Sequence, residues 1–160
     1  MRFHNTLIFQ DFEKSLKSSE GNSRKIPYTT QCLLLFSADV RLPATWRDAI
    51  RDRGNAVFLS VVSVWEAMVK YALGKLPLPH PPESYLPTQR VQHQITSLLL
   101  DEASVCHLAT LPSVHRDPFD RMLVCQARTH GLTVVTVDPV FRAYPFTGDR
   151  QSVTYANRET

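Results

Sequence analysis

The stretch Asp117-Pro118-Phe119-Asp120-Arg121-Met122-Leu123-Val124-Cys125-Gln126-Ala127-Arg128-Thr129-His130-Gly131-Leu132-Thr133-Val134-Val135-Thr136-Val137-Asp138 decides how this chain folds. It opens on a side chain able to cap a helix and puts proline at the first helical position, where no backbone N–H is missed. Gly131 then closes the helix. The β-branched run Leu132 to Val137 follows at once and ends on Asp138. A helix, a tight stop and a buried strand in that order are one half of an α/β repeat.

Upstream the same alternation recurs. Cys32 to Phe36 is a continuous apolar run of strand length, and Pro43 to Arg53 has helical composition ending at Gly54. Ala56 to Leu59 predicts a second strand. Ser60 or Ser63 then caps a helix whose Trp65, Val69, Ala72 and Leu73 share one face, which predicts an apolar, core-facing stripe before Gly74-Lys75. Five of the eleven prolines lie between Pro77 and Pro87, so an extended loop precedes a helix around Glu83 to His93. Ile95 to Leu100 reads as strand and Asp101 to Leu108 as a short helix. These elements predict a three-layer α/β/α sandwich around a mainly parallel sheet.

The chain has 160 residues, 43% of them hydrophobic and 21% charged, which excludes wholesale disorder and fibrous repeats. Residues 1–25 hold a short apolar patch, Thr6 to Phe9, and a polar run from Glu13 to Lys25. They predict a weakly ordered extension, with Leu7, Phe9 and Phe12 as possible anchors, and residues 26–160 form the domain. A net charge of +3 is too small to argue for nucleic acid from bulk charge. Three cysteines without a Cys-x-x-Cys argue against a disulfide framework and a structural zinc site, and predict a reducing, cytoplasmic setting. No apolar stretch is long enough for a membrane span. The five glycines form neither G-x-G-x-x-G nor a phosphate loop, and no Gly-x-Ser-x-Gly occurs.

In parallel sheets, sites form at the carboxyl ends of strands. Glu66, Asp120 and Asp138 fall there or on adjoining helix starts, with Asp117 one turn upstream of Asp120. Each has a plainer explanation: Asp117 and Asp138 are caps ahead of proline, Asp120 complements a helix dipole, and Glu66 pairs with Lys70 on an exposed face for about 0.3–0.5 kcal/mol. Jointly they are harder to dismiss. Carboxylates brought within about 4 Å repel by about 4 kcal/mol at an effective dielectric near 20, so a cation must neutralise them. An all-oxygen set selects Mg²⁺ or Mn²⁺ over Zn²⁺. Lys70, Lys75, Arg116 and Arg121 flank these acids and could approach phosphates. Cys125, seven residues into its helix, reads as a packed small hydrophobe.

Ser63-Val64-Trp65-Glu66 with Lys70 and Leu73-Gly74-Lys75-Leu76, His115-Arg116-Asp117-Pro118-Phe119-Asp120-Arg121-Met122-Leu123, and Val135-Thr136-Val137-Asp138 closely resemble the PIN-domain family, specifically VapC-type toxins of bacterial toxin–antitoxin pairs. The resemblance runs from about Thr29 to Tyr144. It implies an Mg²⁺- or Mn²⁺-dependent endoribonuclease acting on RNA, neutralised by a small cognate antitoxin and often dimeric. Position by position it puts the family's second acid on Glu66, its third on Asp120 and its fourth on Asp138, with Asp117 an additional acid near the metal. The first acid is absent: Thr29 stands where the family's Asp belongs, and Gln31 where its His belongs. Losing one ligand charge weakens a divalent site. Asp11 would substitute if the extension folded back as the first strand. The alternative implied is a catalytically impaired PIN fold that only binds an antitoxin or a sister subunit.

Overall fold

The computed structural model of the chain describes residues 6–10, 56–114, 116–136, 141, 143–144 and 153–155. The strand expected at Cys32 to Phe36, the helix expected at Pro43 to Arg53, and Thr29, Asp11 and Asp138 lie outside these residues. The described strands are β1 (Thr6–Gln10), β2 (Ala56–Ser60), β3 (Thr96–Leu98), β4 (Thr133–Thr136) and β5 (Val153–Tyr155). They form one sheet in the order β3-β2-β1-β4-β5.

Strand β2 pairs in parallel with β3, and β4 with β5, while β1 runs antiparallel to both β2 and β4. Four of the five strands therefore point the same way, and the expected α/β fold with a mainly parallel sheet is present. Its centre was not expected. The sequence reading sets residues 1–25 apart as an extension, yet Thr6–Gln10 of that stretch lies between β2 and β4. Ile8 stands opposite Phe58 on one side and Val134 on the other. Gln10 faces Ala56, so β1 leaves the sheet at the amino end of β2, the edge opposite Ser60. The boundary expected between residues 25 and 26 falls outside the described residues.

Helix α1 (Val61–Ala72) follows β2 directly. Next come α2 (Pro82–Gln92), α3 (Glu102–Cys106) with a 3₁₀ turn at His107–Ala109, and α4 (Pro118–His130). The helix starts are those the sequence implies: Ser60 accepts from the Val62 N–H, Asp101 from Ser104 and Asp117 from Phe119. Gly131 ends α4 in the left-handed conformation at φ 62°, which glycine adopts without steric cost. Helix α2 begins at Pro82 and carries Pro87 in its interior, so the extended passage through the prolines is shorter than expected.

The core gathers Val62 of α1, Leu123, Val124, Cys125 and Ala127 of α4, Val134 of β4, and Leu111, Leu132, Phe141 and Tyr144. Helix α1 overturns one expectation. Trp65 and Leu73, expected in the core, are 59% and 56% exposed, and Ala72 is exposed with them. The buried face carries Val62, Ser63, Glu66, Ala67 and Lys70. Its phase is set where Ser60 caps the helix, and that phase turns Glu66 and Lys70 inward. Opposite charges one turn apart can be buried together at a cost that either alone would not permit.

Candidate active site

The carboxyl edge of the sheet is tied together by one side chain. Ser60, the last residue of β2, donates its hydroxyl to Oε1 of Gln126 while accepting from the Val62 N–H at 3.0 Å. Gln126, fully buried on α4, donates from Nε2 to the carbonyl of Leu99, just past β3, at 3.0 Å. The ends of β2 and β3 and the middle of α4 are thereby fixed to one another. Gln126 was not singled out in the sequence. Its partner in β2 is 66 residues away, and no local pattern marks such a bond.

From Ser60, α1 carries Glu66 inward to 2% exposure, and Lys70 one turn later is 3% exposed. The Lys70 ammonium donates to Oε1 of Glu66. This corrects the exposed-face account of the pair, since both members are sealed from solvent. Lys70, expected at a phosphate, here lies on a carboxylate.

The second acid stands on α4. Asp117 caps that helix, Oδ1 accepting from the Phe119 N–H at 2.9 Å, and is partly exposed. Asp120, in the first turn, is wholly buried, with both carboxylate oxygens closed to solvent. A carboxylate in the first turn gains from the unsatisfied N–H groups there. Helices α1 and α4 pack on each other, and Trp65 meets Phe119 edge-on with centroids 5.0 Å apart. Those rings belong to the residues just before Glu66, in the second turn of α1, and Asp120, in the first turn of α4.

Tyr144, 4% exposed, lies within electrostatic reach of Asp120. Burial pushes its phenol above the ordinary value of 10.0, the positive charge of Arg121 opposes that rise, and the negative charge of Asp120 adds to it. Tyr144 is thus an uncharged neighbour of Asp120 and Arg121 at neutral pH. The Arg121 guanidinium donates to the carbonyl of Pro112 at 3.1 Å, anchoring the loop before α4, and Arg116 is exposed. Cys125 is fully buried and burial raises its thiol, as a packed small hydrophobe requires.

Two buried carboxylates on packed helices at a sheet's carboxyl edge suit a hard divalent cation in donor type. Among the described residues no three His, Cys, Asp or Glu side chains converge into a metal-holding group. Glu66, Asp117 and Asp120 do not form one by themselves, and Asp138 lies outside the described residues. Strand β1, central in the sheet, contains no acid. No helix among the described residues is long and apolar enough to cross a membrane.

Comparison with known proteins agrees with this architecture. Sixty-one residues are 38% identical to Ribonuclease VapC16 of Mycobacterium tuberculosis (strain ATCC 25618 / H37Rv), a match spanning 38% of this chain and 43% of that protein. Less than half of that relative is therefore represented. The model of the PIN domain matches residues 30–147, well over half of the chain and including every helix described above. With that match laid over a mainly parallel sheet and acids at its carboxyl edge, the chain belongs to the PIN domain family.

Proposed function

We propose that this protein is a VapC-type endoribonuclease, the toxin of a toxin–antitoxin pair, hydrolysing RNA phosphodiester bonds with a divalent cation. The observation that carries the reading is the burial of Glu66 and Asp120 on packed helices at the carboxyl edge of the sheet. Family membership and the similarity to a protein named as a ribonuclease support it. Glu66, Asp120 and Asp138, with Asp117 beside them, would hold Mg²⁺, or Mn²⁺ in its place. When bound, the ion supplies positive charge to a phosphodiester oxygen and makes water a readier nucleophile.

The chain's own groups do the rest. Asp120, buried at a helix start with Arg121 next in the chain, would serve as an oxygen donor. Arg116, exposed at the approach to α4, contacts the RNA backbone, and Arg121 adds positive charge at the same approach. The expected partners are RNA, a small cognate antitoxin and a second copy of the chain, in the cytoplasm.

Thr29 favours a second reading, a PIN fold that binds its antitoxin or a sister subunit and cleaves nothing. An RNA cleavage assay in Mg²⁺ separates the two. Cleavage by the unaltered chain that Asp120→Asn abolishes supports the nuclease. Inactivity of the unaltered chain, with activity appearing in Thr29→Asp, supports the impaired fold. DNA offered in the same assay tests the choice of substrate.

A further inference from the structure

Helix α1 is turned inside out. Its only charged residues, Glu66 and Lys70, are buried, while the seven of its twelve residues that are not buried include no charge. A surface helix ordinarily gives its polar face to water and its apolar stripe to the core. Here Val61, Trp65, Met68 and Ala72, spaced by four, three and four residues, form a stripe on the outward side, flanked by Val64 and Tyr71. Trp65, Tyr71, Ala72 and the adjoining Leu73 are exposed, and Val61, Val64 and Met68 are half-buried. Single apolar residues on a surface need no account, but a continuous apolar stripe marks a contact surface.

We propose that α1 is the centre of a homodimer interface, packing antiparallel on α1 of a second copy through the stripe Val61-Trp65-Met68-Ala72. Spacings of four, three and four are those of a coiled-coil seam. A two-fold axis requires a surface that complements itself, and this stripe maps onto itself when reversed. An antiparallel pair centred between Glu66 and Ala67 sets Trp65 against the partner's Met68, and Val61 against the partner's Ala72. The large ring thus meets a flexible thioether, which packs well on aromatic edges. Phe119 already holds Trp65 edge-on at 5.0 Å, so the anchor gives up little freedom on association.

Charge selects the occupant. Nucleic acid is held through cations on its phosphates, and a charged peptide needs opposite charge; the stripe offers neither. An uncharged face is matched by its own copy. One helix face is smaller than the roughly 800 Å² per partner of a standard interface, so the dimer is weak, with a dissociation constant in the micromolar range. The proposal assigns a face to the second copy named under the proposed function, and it depends on neither RNA cleavage nor a bound cation.

Sedimentation equilibrium of the full chain between about 1 and 200 µM is the test. The unaltered chain is expected to pass from monomer to dimer across that range. Trp65→Glu and Ala72→Arg, both at exposed positions, stay monomeric throughout while keeping the circular dichroism of the unaltered chain; if one of them unfolds, the other carries the comparison. Trp65→Met and Met68→Trp each weaken dimerisation by about tenfold, and the double variant, which exchanges the two opposed side chains, returns to within about threefold of the unaltered chain. Dimerisation that Trp65→Glu and Ala72→Arg leave intact overturns the proposal. Dimerisation that they break but the double exchange does not restore overturns the antiparallel pairing. A monomer at every concentration also overturns the proposal, and RNA binding weakened by Trp65→Glu in that monomer would put a nucleobase on the stripe instead. The nuclease reading stands or falls separately, on the cleavage assay.

Discussion

The hydroxyl of Ser60 donates to the side-chain carbonyl of Gln126, joining the last residue of β2 to the middle of α4 in the buried edge of the sheet. The same oxygen receives the Val62 N–H and so caps α1. Removing it leaves the Gln126 oxygen and the Val62 N–H without this partner. Ser60→Ala is expected to cost about 1–3 kcal/mol, the sum of a lost cap and a lost buried hydrogen bond. Urea unfolding followed by circular dichroism measures it. A loss below a few tenths of a kcal/mol would show that the bond does not hold the edge together.

At Gly131 a built Cβ meets nothing within 4 Å, so any cost of Gly131→Ala comes from the backbone alone, at φ +62°. The expected destabilisation is about 1–2 kcal/mol, and Gly131→Asn should lose less because its short polar side chain tolerates that region. Thermal melts of both variants test the order. Equal losses would mean that the backbone relaxes out of the left-handed region.

Trp65 is the larger side chain, yet Leu123 is the one that is buried. Trp65→Ala gives up its edge-on contact with Phe119, worth about 0.5–1.5 kcal/mol. Leu123→Ala opens the core at about 2–5 kcal/mol. Chemical denaturation of the two variants should therefore rank them against their size. The reverse order would mean that the apolar stripe of α1 faces the core after all.

Asp101 couples two helices. Its Oδ1 accepts from the Ser104 N–H at 2.6 Å at the start of α3, and Oδ2 meets Nε2 of His130 in the last turn of α4. The Ser104 backbone hydrogen bond, with lesser help from His130, holds this carboxyl below its ordinary value of 3.8. A carboxyl depressed in the folded state stabilises the fold fully above its unfolded value, and that stability is lost as pH falls through the folded value. The melting-temperature gap between the unaltered chain and Asp101→Asn should hold steady at neutral pH and close as the pH drops below about 4. A gap independent of pH would rule out the carboxylate as its source.

The parts of this fold written in local chemistry were legible in the sequence. Asp117-Pro118 and Gly131 bracket α4 as capping rules require, and Ala56 and Thr133 begin strands close to the expected places. The acids Glu66 and Asp120 were found by their position after or before strands, and both prove buried. What escaped depends on partners distant in sequence. The inward face of α1 holds Glu66 and Lys70 beside Val62 and Ala67 because the two charges neutralise each other, a pairing that a count of apolar positions misses. Thr6–Gln10 is five residues beside a polar tract, too short to announce that its neighbours lie near residues 58 and 134. Gln126 looks like any surface amide until Ser60 is brought against it.

The antiparallel middle strand also bears on how the polypeptide is made. Thr6–Gln10 is translated before either of its ladder partners, which lie at residues 56–58 and 133–136. Until the second of them emerges, the nascent segment has one of its two edges open, and Leu7, Ile8 and Phe9 remain candidates for pairing with other chains. Sheet closure is therefore a late step, and a slow one, because contacts spanning most of the chain must form before the centre can lock.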